Sequence, residues 1–239
     1  MRYLSEHRET RRSLQSWAGD RQVAIAGFYF WVSGSEDQRS RVGLLRSLLH
    51  QLLSLYPESI PAAFPRLWQK LSGMTSKERI AMGLEWTGPE LTSSFVRLLE
   101  PGLFQAKVCF FVDGLDELDG NHESMIRFFR DLGTGKHASQ VKMCLSSRPW
   151  QVFERAFARS VPNLRLQELI LGDMTQYAYD SLYVGASPFA TPLPPPGYFK
   201  RSLRESLPLN FMLSHRNLAD GGINTFAELS GRTPTTPRV

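Results

Sequence analysis

Cysteine is scarce in this chain, at two in 239 residues, which excludes the disulfide framework that braces small secreted domains. Both Cys109 and Cys144 lie inside apolar, strand-like runs, where packed free thiols fit better than a bridge or a metal site. The five histidines, His7, His50, His122, His137 and His215, stand far apart, so metal-ligand spacing is missing as well. No hydrophobic run reaches the length of a membrane span. The first residues, MRYLSEHRETRRSLQSW, lack the apolar centre of a signal peptide, and a cytosolic location is the expectation. A net charge of +5 and a pI near 9.4 raise the question of nucleic acid. The arginines are scattered, however, in Arg8, Arg11 and Arg12, then Arg39, Arg41 and Arg46, then Arg201 to Arg238. Without a basic stripe interleaved with aromatics, a solvated surface is the better reading.

What the chain does have is a hydrophobic content of 42%, enough for one sizeable core. Residues 3–17 read as a helix with Tyr3, Leu4, Leu14 and Trp17 as its apolar contacts. Val23 to Trp31 is strand-like by its β-branched and aromatic content. Val42 to Leu55 carries a leucine stripe at helical spacing, and a second, proline-broken helix follows from Pro57. Thr87 and Glu90 have capping-box spacing ahead of a helix from about Pro89 to Glu100. Met125, Ile126, Phe128, Phe129 and Leu132 form another amphipathic stripe, and Val141 to Leu145 another short buried strand. A helix over Gln151 to Ala158, a strand near Leu164 to Leu166 and a helix from Asp173 to about Tyr183 complete the folded part. Strands that alternate with helices imply a parallel sheet.

The stretch that organises the rest is Lys107 to Asp119, KVCFFVDGLDELD. Its apolar run is long enough to cross a sheet covered on both faces, and it ends abruptly in Asp113, Gly114, Asp116, Glu117 and Asp119. In parallel α/β sheets ligands collect at the carboxyl ends of the strands, so these acids are expected where a metal-bound phosphate would sit. The plainer alternative is a buried strand followed by an acidic turn.

FFVDGLDELDG followed by SSRP at Ser146 to Pro149 resembles the Walker B and sensor-1 elements of the NACHT domains, a branch of the signal-transducing P-loop NTPases. FYFWVSGSEDQRSRVGLLRSLLHQLL looks like the second strand and helix of NACHT proteins abundant in filamentous fungi, and VFERAF with LRLQEL looks like the continuation. The resemblance implies ATP or GTP with magnesium as ligand and a slow NTP hydrolysis that works a signalling switch. It assigns the magnesium to Asp113 and the attacking water to Asp116 or Glu117. Arg148 would touch the terminal phosphate, and its alternative is a surface ion pair with one of the acids. Protein partners or self-association are also implied.

The phosphate cradle G-x-x-x-x-G-K-[ST] is not found in these residues; Gly133-Thr134-Gly135-Lys136 has neither the spacing nor a preceding strand. The resemblance therefore puts Met1 inside the helix after that loop. The fold expected is α/β, a three-layer P-loop NTPase-like parallel sheet missing its first, central strand, with an irregular C-terminal tail. The domain limits are 1–183 for a partial NACHT domain and 184–239 for a disordered tail holding eight of the 15 prolines. Either Phe110 and Met143 come from strands that pair directly, or the product folds poorly. With the cradle absent, nucleotide binding is expected to be impaired, and the alternative function is an inactive remnant acting as an interaction module or decoy.

Overall fold

A computed structural model describes residues 1–157, 162–165 and the backbone of 210–214. The expected helix from Asp173 to Tyr183 and most of the tail lie outside the described residues. The chain opens with α1 (Arg2–Glu6) and α2 (Arg8–Ala18). They are separate because His7 is extended and caps α2, its Nδ1 accepting the Glu9 N–H at 3.2 Å. Next come β1 (Val23–Tyr29), α3 (Glu36–Arg39) and α4 (Arg41–Leu55). Proline sits in the first turn of both α5 (Ile60–Ala63) and α6 (Pro65–Ser72), where its missing N–H costs nothing. Then follow α7 (Ser76–Ala81), α8 (Gly88–Leu98), β2 (Lys107–Asp113), α9 (His122–Gly133), β3 (Val141–Ser147) and α10 (Gln151–Phe157). Two short strands, β4 (Asn163–Arg165) and β5 (Asn210–Ser214), complete the described elements.

Sequence chemistry sets several of these boundaries. Thr87 Oγ1 accepts the Glu90 N–H at 3.4 Å and donates to Glu90 Oε2 at 2.7 Å, so the expected capping box starts α8. Those bonds from Thr87 hold the Glu90 carboxyl below its ordinary range. Gly43 stands in the first turn of α4 against α3, where an added Cβ would lie 1.8 Å from the Asp37 carbonyl oxygen. Only glycine allows that approach.

The sheet order is β1-β2-β3-β5-β4. β1, β2 and β3 run parallel, as expected, with Phe110 opposite Met143 and Val112 opposite Leu145. β2 and β3 thus pair directly, and no strand lies between them. β5 then runs antiparallel on β3, and β4 antiparallel on β5, so the parallel arrangement does not extend past β3. The strand at Asn210–Ser214 falls within the span read as an irregular tail.

Alternation along the three parallel strands divides the core into two faces. Ala24, Ala26, Phe28, Val108, Phe110, Val112, Met143 and Leu145 pack with the leucines of α4 and with residues of α8 and α9 in one large cluster. Cys109, Phe111 and Cys144 face the other way and meet Leu14, Trp17, Leu4 and Met1 of the N-terminal helices. This gives three layers, as expected. Trp17 closes the second face, with Lys107 Nζ 4.7 Å and Lys142 Nζ 5.0 Å from its ring centre. Burial lowers the pKa of both lysines and pushes the Cys144 thiol up to about 12, so the two cysteines remain neutral, inert core residues.

Phe110 is wholly buried and packs on Phe95 with ring centres 5.3 Å apart. Phe110→Ala should lower unfolding free energy by about 3–5 kcal/mol in urea denaturation; a loss under about 1 kcal/mol would contradict a β2 core position.

Candidate functional site

The register of β2 on β3 carries both strand ends to one rim. Beyond the Val112–Leu145 pair, the Ser146 hydroxyl donates to Asp113 Oδ1 and accepts the Gly114 N–H at 3.2 Å. Gly114 then turns the chain with φ 72° and ψ 41°, a left-handed conformation. An added Cβ would stand 3.3 Å from the Phe30 carbonyl oxygen, so glycine serves both the conformation and the close approach. The turn leads into a short 3-10 helix, Leu115–Glu117, which carries Asp116 back to the exit of β3.

The side chain of Asp116 is only 5% exposed. Its Oδ1 accepts the Arg148 N–H at 2.8 Å, and its Oδ2 lies 3.4 Å from Arg148 Nε. One buried carboxylate therefore fixes both the backbone and the guanidinium of the β3 exit. Glu117 Oε2 accepts the Val32 N–H at 2.8 Å, which ties the same turn to the exit of β1. The Asp119 N–H donates to the Arg39 carbonyl at 2.7 Å, and its carboxylate lies 3.8 Å from Arg39 Nε. Asp113, Asp116, Glu117 and Arg148 are thus brought together, while Asp119 turns towards α3.

Residues 3–148 match the family model described as nephrocystin 3, N-terminal. The chain belongs to the nephrocystin 3 N-terminal family. No curated protein and no solved structure matches it. The matched span of this nephrocystin 3 N-terminal chain includes β1, β2 and β3 and ends at Arg148, so all four candidate residues lie inside it.

Magnesium keeps several waters and needs only one or two protein carboxylates beside a phosphate. Asp113 suits that limited role, because its carboxylate is 36% exposed at the tip of β2 and is oriented by the Ser146 hydroxyl. Among the described residues no cluster of three acidic, histidine or cysteine groups forms a closed metal cage. Arg148 keeps its side chain 57% exposed while anchored on Asp116, leaving guanidinium donors for an anion. The sequence did not single out Ser146 for its bond to Asp113, or the Val32 amide for its bond to Glu117. The SSRP motif contains Ser146, but only the register of β3 on β2 reveals its partner.

Asp116→Ala leaves the Arg148 N–H without its acceptor and should cost about 1.5–3 kcal/mol of stability. Arg148→Ala keeps the N–H bonded to Asp116 but leaves that buried carboxylate without its cation, and should cost about 1–3 kcal/mol. A loss under about 0.5 kcal/mol for Asp116→Ala in thermal or urea unfolding would contradict its buried bridging role.

Proposed function

We propose that this chain is a nucleotide-responsive signalling module of the NACHT type, whose β2–β3 rim meets a magnesium-bound ATP or GTP. One observation carries the reading: Asp113, Asp116, Glu117 and Arg148 share a single rim at the carboxyl ends of two parallel strands, where such folds bind phosphates. Asp113 would hold the magnesium ion, and Glu117 or Asp116 would orient the water or take its proton. Arg148 would meet the terminal phosphate, for which its planar fork is suited. The bound metal and nucleotide supply a polarised phosphate. The chain supplies the orientation, because Asp116 already fixes the Arg148 backbone at 2.8 Å. A phosphate at the rim competes with Asp116 for the guanidinium, so nucleotide state and the β3 exit are coupled. These residues contain no phosphate cradle, so the affinity expected of them is weak.

A second reading, an interaction module or decoy without nucleotide, draws on a different observation. Asp116 and Glu117 both spend carboxylate oxygens on backbone amides. Around them Trp31 is 55% exposed, Val32 60% and Trp150 44%, apolar surface of the kind partners cover.

Titration of the chain with a fluorescent ATP analogue separates the two. The switch predicts magnesium-dependent saturation at micromolar to submillimolar ligand, lost in Asp113→Ala. Absence of saturation at millimolar ligand would overturn it and favour the interaction module.

A further inference from the structure

Away from the β2–β3 rim, a groove of about 520 Å³ runs between α8 and α9 and reaches the start of α4. That volume is in the range of small-molecule sites. Its floor is apolar, from Val96, Phe128 and Leu132, and its rim carries Arg41, Arg127 and Lys136 against the single carboxylate of Asp131.

Arg41 is the informative residue. As the first residue of α4 it reaches across to α9, donating from Nη1 to Ser124 Oγ at 2.9 Å. Its guanidinium carbon lies 5.0 Å from the centre of the Phe128 ring. Its Nε is buried with no partner among the described residues. A guanidinium that is partly desolvated and meets no carboxylate is an uncompensated cost, relieved when an anion arrives. The Arg127 side chain, exposed on α9 one turn beyond Ser124, makes no hydrogen bond or ion pair among the described residues either. Lys136 is already set against Glu100 at 2.9 Å. With Lys136 offset by Glu100, the lining holds Arg41 and Arg127 against the one carboxylate of Asp131, to which neither is bonded, and the groove is left with one excess positive charge.

We infer that this groove is a binding site for a small organic monocarboxylate with a flat apolar body. The body lies on Phe128, Val96 and Leu132, and the carboxylate takes donors of Arg127 and the Nη2 of Arg41, which among the described residues is neither bonded nor buried as Nε is. A planar anion matches two guanidinium forks, and a single negative charge matches the excess. None of the groove's residues belongs to the β2 or β3 ends, so the site is independent of the nucleotide reading.

Titration of the full chain with 2-naphthoate, followed by the probe's fluorescence, tests it. Saturable binding is expected, weakened roughly tenfold by Arg127→Ala, since a charge-assisted hydrogen bond is lost. Because Arg127 is exposed and unbonded, that variant keeps its fold, as unfolding curves should confirm. The uncharged analogue 2-naphthylmethanol should bind at least roughly tenfold more weakly for the same reason. Three results would each overturn the proposal: no saturation at millimolar naphthoate, binding unchanged in Arg127→Ala, or equal binding of the alcohol.

Discussion

The direct pairing of β2 with β3 is the constraint on which the rest of the molecule depends. Phe110 opposite Met143 and Val112 opposite Leu145 set a register in which the next residues of each strand, Asp113 and Ser146, are bound to touch. A slip of one residue would turn every side chain of β2 to the other face. It would exchange Phe110 and Val112 with Cys109 and Phe111 between two unlike buried layers and break the Asp113–Ser146 contact, so hydrophobic packing and site geometry are selected together. From that register follow the Ser146 bonds, the turn at Gly114 and the grip of Asp116 on Arg148.

Two unlike layers hold this pair of strands. On one side α4, α8 and α9 build a large apolar core of leucine and phenylalanine. On the other, the N-terminal helices supply a smaller cluster around Leu14 and Trp17, with two buried thiols and two lysine ammonium groups set over the indole. The second layer ends close to the site, since the Met1 amino nitrogen lies 3.8 Å from Asp113 Oδ2. The span that matches the nephrocystin 3 N-terminal family, residues 3–148, takes in the site and most of both layers.

Much of this was legible in the sequence because its signals are local. The leucine stripe of α4, the Thr87 and Glu90 cap, and the apolar runs of β2 and β3 each depend on neighbours a few residues away. The sharing of one rim by the four candidate residues also followed, once the strands were taken as parallel neighbours. Other features were hidden for physical reasons. The break at His7 comes from a side chain that caps rather than continues a helix. α7 has the same capping-box spacing, Thr75 with Glu78, but no apolar face, and Ile80 is 86% exposed. β5 is five residues long in proline-rich surroundings and gains its hydrogen-bond partners from a strand far away in sequence. The partners of Glu117 and Asp113, and the groove at Arg41, exist only through tertiary proximity.

The most direct measurement is the pattern of nuclear Overhauser contacts across the sheet of the isotopically labelled chain. Direct pairing predicts backbone contacts between residues 108–112 and 141–145, in the register that sets Phe110 beside Met143. Contacts from both strands to a third segment lying between them, with none from one to the other, would contradict the account.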